Sequence, residues 1–395
     1  MSPVPKQLAA RVRKWKQRFA RHARGLANAW RDSGALAREH RLSRVRMLGE
    51  AASLAVQGRM GVDTYFHYRF FDPKLTGEAK RQYLSEAPGA NARLWSLLTP
   101  SRYGCLFDNK LIFNRYFTSV GLPLATVFGV FDPLVGRTVE GESLRTVVEL
   151  GNFTRRFRGE GFAFKPAEGM RGHLVLILTG SAPDDPDTFL TLAGERYDAA
   201  ALVAAARNTA ALETQAPSAN LSPFLIEERI RPHPDMAQFI GPTLCTVRVV
   251  TIVALDGSPR IVGSVLKLQP KPLGVDHLMY GALGCWVDPD TGALGPGRTR
   301  TNYTYTSVIP GTDRSFVGYR LPCWEQVKEV ALRAAMAFPW ARSIGWDIGI
   351  SDRGPVVIEG NQKWSPSLVQ LPAPYGLMRG DLKALYDTLL KGSRG

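Results

Sequence analysis

The chain has 395 residues but only four cysteines, and no two of them lie close together in sequence. Cys105, Cys245, Cys285 and Cys323 form no CxxC pair, which argues against a zinc ribbon and against a disulfide framework. They read as single thiols filling core space. The six histidines show no HExxH or other ligand spacing, and no Ser/His/Asp triad is visible. No apolar run reaches the roughly 18 residues that would suggest a membrane span. The N-terminus is basic but lacks the apolar stretch of a secretory signal, so the cytoplasm is the expected compartment. No internal repeat or low-complexity segment stands out.

What remains is ordinary in bulk and uneven in detail. Hydrophobic residues make up 45% and charged residues 22%, as in soluble globular proteins. The length suits two or three structural units. The net charge is +15, yet residues 1–50 hold thirteen Lys or Arg against three acids, leaving +5 for the other 345 residues. In that stretch Leu8, Val12, Trp15, Phe19, Leu26 and Trp30 recur at helical spacing, while Arg11, Arg13, Lys14, Lys16, Arg18, Arg21 and Arg24 fill much of the rest. Such a helix either packs on its own domain with a solvated basic face or lies on an anionic membrane surface through residues 1–30. The second reading expects a place peripheral to the inner face of the membrane. No nucleic-acid motif accompanies the charge, and no nucleic acid is expected.

Further on, the pattern predicts a helix over 107–120 ended by Gly121-Leu122-Pro123, and strand character over 124–131. Phe162–Lys165 and His173–Leu178 read as a hairpin around the glycine-containing tip 168–172. Residues 181–190 read as a surface loop, 199–211 as a helix and 223–230 as a buried strand. Two strands, 244–254 and 259–268, flank Asp256-Gly257, a strong hairpin signal. A strand over 281–287 and a helix over 323–337 precede a final pair of strands, 344–350 and 355–361.

That final pair is the most informative segment. Glu359 and Asn361 are two apart on a strand and leave the same face. A carboxylate and an amide oxygen are ligands of the kind Mg²⁺ prefers. If the hairpin closes with the three-residue loop Asp352-Arg353-Gly354, Ser351 faces Pro355 and Asp347 falls opposite Glu359; a four-residue loop moves Asp347 to the wrong face. Acids converging among Ile, Val and Trp are costly unless paired or metal-bound.

Asp347, Glu359 and Asn361 resemble, in order and spacing, the metal-binding strand pair of the ATP-grasp superfamily, which includes D-alanine–D-alanine ligase and the ribosomal-protein glutamate ligases. The order of elements (lysine strand, glycine loop, strand, helix, strand ending in Glu, metal hairpin) is similar over about 200 residues. The resemblance implies an α+β ATP-grasp fold, with two α/β lobes clasping ATP between antiparallel sheets. It also implies two Mg²⁺ ions held by Asp347, Glu359 and Asn361, with Mn²⁺ as the alternative ion. By the same resemblance Lys165 contacts the α- and β-phosphates, and Glu168, Gly169, Met170, Arg171 and Gly172 cover the γ-phosphate. Glu227 or Glu228, with Ile230, meets adenine; Asp235 falls where ribose binds; Lys110 matches a second ATP-reaching lysine. Arg248 and Lys267, on successive strands, would neutralise charge on the transferring phosphoryl group or the tetrahedral intermediate.

Within the superfamily, Glu228-Arg-Ile-x-Pro-His233-Pro, the strand Thr246–Thr251, Val275-Asp276 and Asp-x-x-Thr-Gly292 resemble the sugar-transfer-associated, glutamate-ligase-like group, over roughly residues 100–370. His277 replaces the group's usual Asn. Gly345 stands where D-alanine–D-alanine ligase has an arginine, which points away from D-alanine dipeptide synthesis. The implied organisation is a basic helical segment (1–60), a preceding region (61–150), lobe 1 (151–235) and lobe 2 (236–395). The implied function is an ATP- and Mg-dependent carboxylate–amine ligase acting through an acyl phosphate and joining small-molecule or glycan-linked substrates. It would decorate a surface glycan or its precursor with an amino acid. A kinase acting on a hydroxyl group and a non-catalytic nucleotide-binding module are the alternatives.

Overall fold

The computed structural model describes residues 30–31, 33–34, 36–56, 60–85, 89–168, 175–213, 223–276, 278–299 and 304–392. The amphipathic helix expected within residues 1–29, the tip residues Gly169, Met170, Arg171 and Gly172, and His277 lie outside them.

The chain divides into two compact units. The first takes residues 1–93 and 365–378. Its interior is aromatic, with Tyr65, Phe66, Tyr68, Phe70 and Tyr83 in mutual edge and tilted contacts. Gln370, buried among them, accepts from the amides of Leu84 and Leu377 and donates to Tyr68 Oη and the Leu84 carbonyl, so each polar group there is satisfied.

The second unit, residues 94–364 and 379–395, carries two antiparallel sheets. The seven-stranded sheet is built from β1 (Val127–Phe131), β2 (Arg137–Thr138), β3 (Phe162–Pro166), β4 (Leu176–Ala182), β5 (Asp185–Thr191), β6 (Arg196–Tyr197) and β7 (Phe224–Glu228). Its order is β2-β1-β7-β3-β4-β5-β6. Phe162, Phe164, Phe189 and Ile226 pack there against Leu150 and Phe153 of one helix (Val147–Thr154) and Leu202, Val203 and Ala206 of another (Ala199–Glu213). The first of these helices starts on a capping box, with Thr146 and Glu149 satisfying each other's backbone amides.

The six-stranded sheet is β8 (Thr246–Val253), β9 (Pro259–Leu268), β10 (Leu283–Val287), β11 (Leu294–Arg298), β12 (Ser343–Ser351) and β13 (Gly354–Asn361), in the order β11-β10-β9-β8-β12-β13. Its central strands β8 and β12 are buried throughout. One face packs on α1 (Lys110–Ser119), through Phe113 and Phe117, and on α2 (Trp324–Ala337), through Val327, Ala331 and Ala334. Trp346 points into this layer and donates to Thr251 Oγ1 at 2.9 Å.

Three local expectations need correction. The helix expected over 107–120 is two: a short turn ends at Asp108, and Asn109 restarts the chain by accepting from the amides of Leu111 and Ile112. The loop expected over 181–190 is mostly strand, because Phe189 is buried and Asp187 is gripped by Arg155 and Arg158. The loop of the last hairpin has two residues, not three: Ser351 pairs with Gly354, and Ile350 with Pro355. Asp347 nevertheless faces Glu359, because a bulge leaves Ile358 unpaired and restores the register. A two-residue loop without the bulge would have set Ile358 opposite Asp347, with Glu359 on the other face.

Candidate active site

The six-stranded sheet gathers its charged residues on the face away from α1 and α2. Arg248 of β8, Asp347 of β12 and Glu359 of β13 stand in one row, each pair directly opposite in register. Asn361, two residues beyond Glu359, shares its face. Arg248 grips Asp347 with two parallel bonds, Nε to Oδ1 and Nη2 to Oδ2, the latter at 2.8 Å. Lys267 Nζ reaches Asp347 Oδ2 at 3.1 Å and Asp276 Oδ1 at 3.0 Å. Glu359 Oε1 lies 3.9 Å from Arg248 Nη2 and accepts from Asn361 Nδ2 at 3.2 Å.

Burial opposes charge on Asp347, Arg248, Lys267 and Glu359, and neighbouring charges override it for the first three. For Asp347, 1% exposed, the cations Arg248 and Lys267 override burial and hold the carboxyl well below its usual range. For Arg248 and Lys267, burial is likewise overridden by nearby acids, and both pKa values rise: Asp347 leads for Arg248, and Asp276, then Asp347, for Lys267. Glu359 goes the other way for a carboxylate. Withdrawal from water and then the charge of Asp347 push its pKa up, although its side chain stays 40% exposed.

That electrostatic state bears on metal binding. Two carboxylates held side by side, the outer one partly exposed, form a pair whose repulsion a divalent cation would relieve. Among the described residues no three His, Cys, Asp or Glu side chains gather to hold an ion by themselves; the further oxygen-bearing side chain beside Glu359 is the Asn361 amide. Its Nδ2 donates to Glu359 and to the Gly345 carbonyl, and a half-turn of the amide would present oxygen instead. With that turn, the donor set fits a hard cation.

Gly345 shows why no arginine precedes Asp347. A Cβ there would lie 2.7 Å from Trp364 Cβ and 3.0 Å from Arg248 Cδ. Arg248, from the neighbouring strand, already fills that space.

In the seven-stranded sheet, Lys165 Nζ meets Glu227 at 2.6 Å; Glu227 is buried. Glu228, on the opposite face, accepts from the Thr126 amide at 3.2 Å and from Arg353 at 2.6 Å, tying the adjacent strand to the β12–β13 hairpin. Further ties are the bonds from the His233 amide to the Ile350 carbonyl and from the Asp352 amide to the Arg231 carbonyl. Ile230 follows β7 and is half-buried. Asp235 is 71% exposed on the short helix Pro234–Phe239, with His233 as its near neighbour. The Lys110 amide bonds the Ala167 carbonyl at 2.7 Å, and Asn109 donates to Glu168, so α1 begins at the end of β3. The other end of this connection is Gly360 of β13, wedged among Phe107, Phe113 and Trp346.

The structure thus joins Arg248, Lys267, Asp347, Glu359 and Asn361 in one cluster, and Lys165 with Glu227 in another. Glu228 and Asp235 belong to neither. Asp276, which the sequence shows only as part of a motif, is the second acid on Lys267; a lone acid in a loop carries no periodic signal.

A family model described as sugar-transfer associated ATP-grasp matches residues 90–385. The chain belongs to that family. The ATP-grasp fold, in the α+β class, is therefore the one expected from the last hairpin. Among solved structures, this ATP-grasp chain is similar to the D-alanine–D-alanine ligase from Coxiella burnetii, at 10% identity and a TM-score of 0.37, covering 73% of this chain and 60% of that one. It is also similar to N5-carboxyaminoimidazole synthase from Aspergillus clavatus, at 12% identity and a TM-score of 0.34, covering 71% and 52%. A third is the biotin carboxylase domain of Hydrogenobacter thermophilus 2-oxoglutarate carboxylase, at 12% identity and 0.42, covering 83% and 57%. The chain spans between half and two thirds of the length of these proteins. No curated protein matches it. Among the described residues, no helix is long and apolar enough to cross a membrane.

Proposed function

We propose that this ATP-grasp chain is an ATP- and Mg²⁺-dependent carboxylate–amine ligase that works through an acyl phosphate. The observation that carries the reading is the cluster on β8, β9, β12 and β13. There a bidentate Arg248–Asp347 pair and Lys267 adjoin two oxygen-bearing side chains, Glu359 and Asn361, that are only partly buried.

The chemistry asks for cations and oxygen ligands rather than a nucleophile triad. A substrate carboxylate attacks the γ-phosphorus of ATP, giving an acyl phosphate and ADP. An amine then adds to the acyl carbon, loses a proton and expels inorganic phosphate, leaving an amide. Magnesium bound by Asp347, Glu359 and Asn361, as two ions or with Mn²⁺ in its place, would neutralise phosphate charge and orient the triphosphate. Arg248 and Lys267 stay protonated at neutral pH and meet the negative charge that develops on transfer. Lys165, held by Glu227, binds phosphate at the end of β3. The pairing with Lys165 supports Glu227 rather than Glu228 as the acid turned towards the nucleotide.

The acceptor is a surface glycan or its precursor, to be decorated with an amino acid; membership of a family associated with sugar transfer supports that choice. The basic residues 1–30 suit contact with an anionic membrane where lipid-linked precursors lie. Incubation with Mg-ATP, a panel of carboxylic acids and hydroxylamine tests the reaction, because hydroxylamine traps an acyl phosphate as a hydroxamate. Acid-dependent hydroxamate with release of ADP is expected. Phosphate moved onto a hydroxyl group, with no free phosphate, would replace the ligase by a kinase. Deleting residues 1–50 should abolish pelleting with anionic liposomes; unchanged pelleting removes the membrane from the account.

A further inference from the structure

Lys267 sits between two carboxylates at nearly equal distances, Asp276 at 3.0 Å and Asp347 at 3.1 Å. The two acids are held differently. Asp347 is shared with Arg248 and stands opposite Glu359, at the edge where the proposed metal would bind. Asp276 lies outside that row, in the loop after β9. Its Oδ2 accepts from both the amide and the hydroxyl of Thr246, each at 2.6 Å, and its Oδ1 is left for Lys267.

The segment that carries Asp276 is fixed independently of Lys267. Thr243 Oγ1 lies 2.7 Å from the Lys271 carbonyl and 2.8 Å from that of Leu273, and ties the segment to the start of β8. Gly274 lies flat against the start of β4: a Cβ on it would come within 3.2 Å of Ile177 Cγ1 and 3.3 Å of the Val175 carbonyl. Asp276 is therefore held by the amide and hydroxyl of Thr246 on β8, in a segment fixed by Thr243 and by close approach to β4, and the long lysine stem adapts to it. A lysine ammonium is a compact charge on four rotatable bonds, so its direction is set by its partners.

We propose that Asp276 is the positioning residue for Lys267. It keeps the ammonium aimed at the transferring phosphoryl group when Asp347 turns part of its oxygen surface to a divalent cation. The proposal rests on the ATP-dependent reading above. Without Asp276, a cation competing for Asp347 would leave the buried ammonium no fixed partner.

The test is a double-mutant cycle in the full chain, read by titration calorimetry with two probes, Mg-AMP-PNP, which carries a γ-phosphoryl group, and Mg-ADP, which does not. The wild type should prefer the triphosphate probe. Asp276→Asn should lower that preference about tenfold, the scale of one hydrogen bond to a charged group, with Mg-ADP affinity nearly unchanged. Asp276→Glu should recover most of it. In a Lys267→Met background, Asp276→Asn should change the preference by less than twofold, since its effect passes through the lysine. This double variant also removes both charges together, so it leaves no unpaired buried ion. An equal loss for both probes, or an Asp276→Asn effect that persists without Lys267, would make Asp276 a structural anchor of Thr246 only and overturn the proposal. If the wild type binds neither probe, the ATP-dependent reading falls as well. If it binds both and Asp276→Asn changes nothing, only the role of Asp276 falls.

Discussion

Replacing Asp347 by Asn probes the cluster most sharply through stability. Three charged hydrogen bonds converge on this carboxylate, two from Arg248 and one from Lys267, at a site that is 1% exposed. Removing one partner of a buried ion pair leaves the others uncompensated, at a cost of about 3–5 kcal/mol. Lys267 keeps Asp276, so the lower end, about 3 kcal/mol, is expected. For a urea dependence of about 3 kcal/mol per molar, the unfolding midpoint should fall by roughly 1 M. The acid limb should change as well. The folded pKa of Asp347 is depressed, so its contribution is present above the unfolded value and lost as pH falls below about 4 towards the folded value. Glu359 has a raised folded pKa and acts oppositely: its contribution is present below the unfolded value and lost as pH rises through the folded one. Asp347→Asn removes the first effect and, by deleting the neighbouring charge, weakens the second. A midpoint within about 0.2 M of wild type, with an unchanged acid limb, would refute the reasoning, since a pair of this burial cannot be so silent.

Other expectations follow from the same geometry. Lys165→Met strands the buried Glu227 charge and should weaken ATP binding by roughly 30-fold in calorimetry, near the lower end for a broken buried charge pair; an unchanged affinity would remove Lys165 from the phosphate site. Gly345→Val should cost several kcal/mol in urea unfolding, because the new side chain meets Trp364 and Arg248; a wild-type midpoint would show that the space is there. Arg353→Ala breaks only a largely exposed bridge to Glu228 and should shift stability by less than about 1 kcal/mol. Thiol labelling of the native chain should find Cys105, which is exposed, then the half-buried Cys323, and spare Cys245, whose pKa burial pushes up to about 12, and Cys285, also raised by burial; rapid labelling that survives replacement of both Cys105 and Cys323 by Ser would contradict this.

The hairpin that names the family was legible because its signal is local: Glu359 and Asn361 share a face by spacing alone. The placing of Asp347 opposite Glu359 was reached for a reason the structure replaces. A tight turn and a bulge together give the pairing that a longer loop would give without one, and a bulge has no strong sequence mark. Glu227 and Glu228 could not be separated in advance. Alternation says they diverge, but which of them turns to Lys165 depends on how β7 pairs with β3. The strand over 185–191 is hidden by the two prolines and three aspartates of residues 183–187; its order comes from Arg155 and Arg158, which grip Asp187, and from Arg196, which grips Asp184. Asp276 was hidden for the same reason, since its partners Lys267 and Thr246 are neighbours only in space.

The ligase account turns on whether oxygen passes from an acid to phosphate. The measurement is a reaction with Mg-ATP, hydroxylamine and the acid found by hydroxamate trapping, labelled with ¹⁸O in both carboxylate oxygens, followed by mass spectrometry of the phosphate released as the hydroxamate forms. One ¹⁸O atom in each phosphate is the predicted result, because the acyl phosphate breaks with that oxygen on phosphorus. Phosphate released without label would contradict the acyl-phosphate route.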